Sequence, residues 1–414
     1  MTAPRAELAR RLGLGDAVFI GLGSMIGAGV FAAYSPAARA AGTGLLVGLA
    51  VAAIVAYCNA TSSAQLAAAY PRAGGTYLYG RELLGQWWGY LAGWGFMVGK
   101  TASCAAMALT FAAYAAPDGW LRPVAAAVVV VLALVNCAGV TRTALLTKLL
   151  VSLVLVSLVV AAVACFRGGS SAELSAWTSP EHGLYGVLQS AGLLFFAFAG
   201  YARIATLGEE VREPERVIPR AIVLALAGAV VLYAVVAVAV LSVLGGAGTA
   251  ASAAPVADAV RATSSSAVVG VVRVGAALAS AGALLALIAG LGRTGLAMAR
   301  ERDLPGWLDA VHPRFRVPHR AELTVAAIVV VLVLTTDLRG AIGFSSFGVL
   351  LYYFVANASA YRQSSDERRF PRWLQLLGCA GCLVLVASLP WESVVAGIAV
   401  FAVGVVVRWT RLRR

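Results

Sequence analysis

The stretch Gly21–Phe31, "GLGSMIGAGVF", lies where a membrane-spanning helix is expected to begin, and it carries glycine at positions 21, 23, 27 and 29. Glycine inside a helix costs about 1 kcal/mol relative to alanine, and alanine is abundant elsewhere in this chain. The cluster therefore favours a helix that is interrupted within the membrane. Close helix packing is the alternative, because small residues spaced by four also let two backbones approach each other.

The composition of the chain sets its class. Of the 414 residues, 61% are hydrophobic and only 12% are charged, and the mean hydropathy is +0.86. A soluble domain of this length does not reach such values. The sequence therefore predicts an all-α integral membrane protein that forms a single polytopic domain over residues 1–414.

Apolar runs recur along the whole chain. A run of about 20 residues is long enough to cross about 30 Å of hydrocarbon as a helix, and about twelve such runs are present. The predicted transmembrane helices cover 16–36, 43–69, 86–115, 122–138, 148–166, 185–206, 220–244, 269–292, 322–336, 340–361, 373–389 and 391–408.

The net charge of +13 is explained by orientation and not by binding of nucleic acid. Short loops rich in Lys and Arg stay on the cytoplasmic side of a membrane. With these helices, 24 of the 32 basic residues fall on the side of the N-terminus and six on the other. Both termini are therefore predicted to be cytoplasmic. The remaining two, Lys100 and Arg203, lie within or next to predicted helices.

A second candidate interruption lies at Gly200, in the sixth predicted helix. Transporters that are built from inverted repeats carry interrupted helices at corresponding positions of the two halves. The spacing predicts a five-plus-five inverted repeat over about 16–166 and about 185–361, in which the first and sixth helices are broken. Two appended helices follow over about 373–408.

Five stretches resemble the amino acid-polyamine-organocation (APC) superfamily of permeases, and together they cover nearly the whole chain. In order, they are "GLGSMIGAGVF", "YPRAGGTYLYGRELLG", "FFAFAGYARIATLGEEVREPERVIPRAI", "GRTGLAMARERDLPGWLDAVHPRF" and "IGFSSFGVLLYYFVAN". The resemblance, to a permease of the bacterial type, implies secondary active transport of amino acids across the plasma (inner) membrane by alternating access. Proton-coupled symport or exchange is implied as the mode. A polyamine or other organocation transporter, and an amino acid receptor that does not translocate, are the alternatives.

Two broken helices offer a site for an amino acid. Lipid cannot satisfy the backbone amides and carbonyls that a break frees. Amides at the start of a half-helix suit a carboxylate, and carbonyls at the end of another suit an ammonium group. The resemblance places the carboxylate near the backbone of Met25, Gly27, Ala28 and Gly29, and the ammonium near the carbonyls of Phe196, Phe198 and Ala199, beside the break at Gly200.

Four charged residues are candidates for coupling or gating. Lys100 lies near the middle of the third predicted helix, where an ammonium must face a cavity or a partner. We expect it to couple proton movement to transport or to hold an anionic group, with a charge that merely reaches a polar crevice as the alternative. Arg203 is a candidate for a second cation beside the substrate path, and the alternative is that it points into the cytoplasmic vestibule towards Glu209 or Glu210. Glu209 and Glu210 are interpreted as an inner-gate network or as a helix-end cap.

Enzymatic and metal chemistry have little support in the sequence. The three histidines lie in predicted loops, and no hydrolase motif or pair of carboxylates appears at membrane depth. The pair in "CAGC", at positions 379–382, has the spacing of a redox or zinc site but no second pair beside it. No enzyme activity, metal or cofactor is therefore expected. Ala202 stands where many members of the superfamily carry an acid, which favours neutral or small amino acids over arginine or polyamines.

Overall fold

The computed structural model describes residues 12–71, 74–139, 144–168, 183–205 and 210–412. Seventeen α-helices lie in these ranges. They are α1 Leu14–Met25, α2 Gly29–Ala32, α3 Tyr34–Ala41, α4 Leu45–Ala69, α5 Gly75–Leu83, α6 Gln86–Ala115, α7 Leu121–Cys137, α8 Ala144–Gly168, α9 Gly183–Phe198, α10 Ala202–Ala205, α11 Pro214–Ala251, α12 Pro255–Thr263, α13 Ser266–Arg300, α14 His319–Thr335, α15 Leu338–Arg362, α16 Arg372–Ser388 and α17 Trp391–Leu412.

The predicted class, an all-α membrane protein, is confirmed. Each predicted transmembrane helix coincides with one helix of the structure or with consecutive ones. In the described part of the chain, eight helical stretches are long and apolar enough to cross a membrane by length and composition, and α7, α9 and α16 are shorter apolar helices. The number of crossings and the boundaries of the two repeats stay predictions.

Local sequence explains several helix ends. Pro214 and Pro255 begin α11 and α12, where the missing proline N–H costs nothing because the first amides of a helix have no partner within it. The carboxylate of Asp337 caps α15 by accepting from the amide of Gly340 at 2.8 Å. Within α11, Gly245 has a φ of 61°, which glycine adopts readily, and the helix kinks there.

Glycines bring α6 against α15. A Cβ placed on Gly348 would lie 2.7 Å from the carbonyl oxygen of Gly95, and one on Gly99 would lie 2.9 Å from that of Ser345. Such distances are shorter than real Cβ contacts, so the two backbones can meet only where side chains are missing. This contact fixes the position of Lys100, the residue that follows Gly99 in α6.

Candidate functional site

The first predicted break is present. The amide of Ile26 makes the last hydrogen bond of the first half, to Leu22 O at 2.7 Å, and the second half begins with the bond from Phe31 N to Ala28 O at 3.1 Å. Ile26 itself leaves helical geometry, with ψ at 49°. The amides of residues 27–30 therefore lie at the start of a half-helix, where helix geometry provides no acceptor.

The second predicted break is also present. Helix α9 ends at Phe198, α10 begins at Ala202, and the turn between them contains a bond from Gly200 N to Phe198 O at 2.7 Å. The carbonyls at the end of α9 form the negative end of that half-helix. The chain thus provides one end rich in donors and one rich in acceptors.

The two breaks lie directly against each other. A Cβ on Gly29 would lie 2.6 Å from the Cα of Ala197, and one on Gly200 would lie 2.6 Å from the amide nitrogen of Met25. Only glycine allows this approach at both positions. The donor end of the first break and the acceptor end of the second therefore share one small region in the middle of the protein.

The other glycines of the opening stretch also face neighbouring helices. Gly21 faces the side chain of Ile204, Gly23 faces Val151, and Gly27 faces Ala283. None of the four glycines in the stretch has a positive φ, so they are required here for space and not for backbone conformation. Both interpretations of the cluster hold, since the helix is broken and its glycines also pack closely.

Tyr233 of α11 connects the two breaks. Its hydroxyl group is placed to donate to Met25 O at 2.7 Å and to Ala197 O at 3.0 Å. The hydroxyl of Tyr34 donates in turn to the backbone carbonyl of Tyr233 at 2.9 Å. All four residues are buried. A side chain from outside the breaks thus satisfies carbonyls that the interrupted helices expose.

Lys100 reaches the acceptor end of the second break. Its Nζ donates to Ala199 O at 3.1 Å, and the hydroxyl of Tyr353 donates to the same oxygen at 3.3 Å. The ring of Tyr353 lies 5.1 Å from that of Tyr201, centroid to centroid. The structure thus brings together Lys100 and Ala199, two residues that were predicted for different roles.

Sequence reasoning missed the tyrosines around the breaks. The four that donate to this backbone or to each other are Tyr34, Tyr114, Tyr233 and Tyr353. A signal was available for each, since a phenol in an apolar helix must find an acceptor for its hydroxyl. The sequence does not say which acceptor that is.

The residues predicted for an inner gate are only partly placed. Arg203 lies in α10 with its side chain exposed, and Glu209 lies outside the described residues. Glu210 contributes through its backbone, because its carbonyl accepts from the amide of Leu12 at 3.1 Å. Together with the bond from Arg212 N to Leu12 O at 2.9 Å, this joins the segment before α1 to the segment before α11.

An ion pair lies close to this junction. Lys148 Nζ and Asp16 Oδ1 are 2.5 Å apart and join α8 to the first turn of α1. Both side chains are partly exposed, so the stabilisation by the pair is small, about 1 kcal/mol or less. The ion pair mainly fixes the position of α1, because it holds the first half of the broken helix to α8.

A second charged cluster lies on the side predicted to be cytoplasmic. Asp303 accepts from Arg81 at 2.9 Å and from the hydroxyl of Tyr77 at 2.7 Å, and Arg408 lies 3.3 Å from its other oxygen. Burial and the bond to Asp303 raise the pKa of Tyr77. The cluster joins α5, the segment after α13 and α17.

A cavity of about 500 Å³ lies beside the first break and is lined by Leu22 and Ile26, among others, but by none of the predicted site residues. Another cavity of about 290 Å³ lies on the side predicted to be outer and is lined by Arg39, Arg122 and Arg339, among others. None of the predicted site residues lines it.

In the described part of the chain no group of His, Cys, Asp and Glu could hold a metal ion. Cys379 and Cys382 are free thiols on α16.

Two interrupted helices that meet within a bundle of apolar helices define a membrane transport protein of the permease class. The family model for amino acid permeases matches residues 12–408, and the chain belongs to this family.

Proteins that are similar to this chain are named as transporters or permeases. An uncharacterised transporter of Mycobacterium tuberculosis is 60% identical over 399 residues, which cover 96% of this chain and 90% of the relative. The chain is also similar to a chloroplastic cationic amino acid transporter of Arabidopsis thaliana, with 28% identity over 94% of this chain and 72% of the relative. A branched-chain amino acid permease of Bacillus subtilis is 26% identical over 100% and 95% of the two chains.

Proposed function

We propose that the protein moves amino acids across the plasma membrane as a secondary transporter that works by alternating access. The observation that carries this proposal is the direct contact of the two breaks, through Gly29 and Ala197 on one side and Gly200 and Met25 on the other. This contact supports a site in which backbone amides and backbone carbonyls bind one small zwitterion.

In the proposed site, the substrate carboxylate binds at the first break. The amides of Gly27, Ala28 and Gly29 lie at the start of the second half-helix, beside Met25, where their dipoles favour a negative group. The ammonium group is proposed to lie at the carbonyl end of α9. There it must share Ala199 O with Lys100, which already donates to it.

The contact between Lys100 and Ala199 supports a proposal for proton coupling. A lysine, unlike an arginine, can release its proton at a buried site. When Lys100 is neutral it no longer competes as a cation for Ala199 O, so substrate binding and protonation of Lys100 would be linked. Cys104 is the titratable group next to it, one turn further along α6, and no described residue forms an ion pair with Lys100.

Alternating access requires that one side closes while the other opens. The junction of Leu12 with residues 210–212 and the pair of Asp16 with Lys148 close the first half of the broken helix against its neighbours. We propose that these contacts form the inner gate, on the cytoplasmic side, and that they separate when the site opens inward. Arg203 would then line the path that opens.

The relatives leave the choice of amino acid open, because one is named for branched-chain substrates and others for cationic ones. This chain has Ala202 directly after Gly200 and Tyr201, and a lysine at the site. Neither offers an acceptor for a cationic side chain. We therefore propose neutral amino acids as the main substrates.

Uptake into proteoliposomes tests the proposal. Vesicles that contain the purified chain are given labelled leucine, alanine or arginine, with and without an inwardly directed proton gradient, and empty vesicles serve as the control. We expect leucine or alanine to accumulate above the level of the empty vesicles, and faster with the gradient. Binding without accumulation would show a receptor, and accumulation of arginine alone would show a cationic transporter.

A further inference from the structure

Several carbonyls at the acceptor end of the site already have donors within the protein. Lys100 and Tyr353 both donate to Ala199 O. The hydroxyl of Tyr233 lies within hydrogen-bond distance of Met25 O and Ala197 O and donates to one of them at a time, and the amide of Gly200 donates to Phe198 O.

The donor end is different. The amides of residues 27–30 lie where helix geometry leaves amides without acceptors. The ammonium of Lys100 adds more donors, because it carries three N–H groups and makes one hydrogen bond, to Ala199 O, within the described part of the chain. The described part of the site therefore keeps donor capacity at Lys100 and at the first break.

We propose that Lys100 stands in for the α-ammonium group of the substrate, so that the site recognises small organic carboxylates whether or not they carry an α-amino group. This inference rests on the proposed function, because it uses the same site. It adds a substrate class, the carboxylates without an α-amino group, to the amino acids.

Charge supports the inference. Lys100 has no counter-ion among the described residues, and an uncompensated charge at membrane depth is costly. A zwitterion has no net charge and leaves this positive charge in place. A carboxylate without an ammonium group neutralises it, and its two oxygens can accept both from the amides of the first break and from Lys100.

The other lysine of the chain shows the contrast. Lys148 is paired with Asp16 at 2.5 Å, so its charge is compensated inside the protein. Lys100 bonds instead to a neutral backbone carbonyl at the edge of the break. Of the two lysines in the sequence, only Lys100 is placed so that a ligand can supply the missing negative charge.

Binding of matched probes to the purified full-length protein in detergent tests the inference. The first set is L-leucine, its deamino analogue 4-methylpentanoate and its decarboxylated analogue 3-methylbutylamine. The second is L-alanine, propanoate and ethylamine. Affinities are measured by isothermal titration calorimetry. We expect the carboxylates to bind within a few-fold of the amino acids, and the amines not to bind.

The outcomes separate this inference from the proposed function. If amino acids bind and the carboxylates do not, the inference is overturned and the proposed function stands. If the carboxylates bind and the amino acids do not, the site does not recognise both classes, and the inference and the proposed substrates are both overturned. Binding by the amines, or by none of the probes, overturns the inference.

Two lysine variants assign the effect to one residue. In Lys100→Met the carboxylates should lose about tenfold or more in affinity, because a charge-assisted hydrogen bond is removed, while the amino acids lose less. In Lys148→Met the ratio of the two affinities should stay that of the parent protein. An unchanged ratio in Lys100→Met would contradict the role of this residue.

Discussion

The hydroxyl group of Tyr233 offers the most direct test of how the two breaks are held. Tyr233→Phe removes the donor to Met25 O and Ala197 O, which lie 2.7 and 3.0 Å from it, and leaves the ring in place. One hydroxyl proton serves one carbonyl at a time, and a buried acceptor without a partner costs about 1–3 kcal/mol. The free energy of unfolding should fall by about that amount.

Tyr34→Phe is the matched control. It also removes one buried hydroxyl, but the acceptor, the carbonyl of Tyr233, lies inside α11 and keeps its helical hydrogen bond. The loss should be smaller, about 0.5–1.5 kcal/mol. Reversible unfolding in mixed detergent micelles measures both values, and calorimetry measures leucine affinity, which should fall only in Tyr233→Phe. Equal stability and unchanged affinity in the two variants would refute the reasoning.

Three further predictions follow from packing, charge and topology. Gly29→Ala should destabilise the protein by about 1–3 kcal/mol, because the new Cβ overpacks against α9. Gly15→Ala should not destabilise it, because nothing lies within 4 Å of the new Cβ. Unfolding in detergent measures both free energies. Asp303→Asn leaves the buried Arg408 without its carboxylate partner, although Arg81 keeps Glu301, and should cost about 3–5 kcal/mol. Glu301→Gln, at the more exposed carboxylate, should cost about 1 kcal/mol or less. A cysteine at Arg411 should not react with an impermeant reagent in intact cells, and reaction would mean that the number of crossings is odd.

The positions of the two breaks could be predicted because their signal is local. The glycines before Phe31 and the single Gly200 after an aromatic run both lie in short windows of sequence. A helix that loses alanines to glycines in one turn loses stability in that turn. No knowledge of the neighbouring helices is needed for this step.

The partner of Lys100 could not be predicted in the same way. Lys100 and Ala199 are 99 positions apart, and Ala199 lies in the turn between α9 and α10, far along the chain from α6. The sequence shows that an ammonium at membrane depth needs a partner. It does not distinguish a carboxylate from a backbone carbonyl, and that difference decides whether the lysine is available to a ligand.

The glycines of the opening stretch lie in a broken helix and also allow close helix packing, and both features have one physical cause. A broken helix within a membrane exposes amides and carbonyls, and these must be satisfied by protein or ligand because lipid offers no partner. Partners such as Tyr233 reach the backbone only if the surrounding helices come close, and close approach requires that Cβ atoms are missing at positions such as Gly27 and Gly29. A bulky substitution at either glycine therefore disturbs the neighbouring helix as well as the substrate site. A loss of transport in such a variant does not locate the carboxylate, whereas removal of a single hydroxyl or ammonium group separates binding from packing.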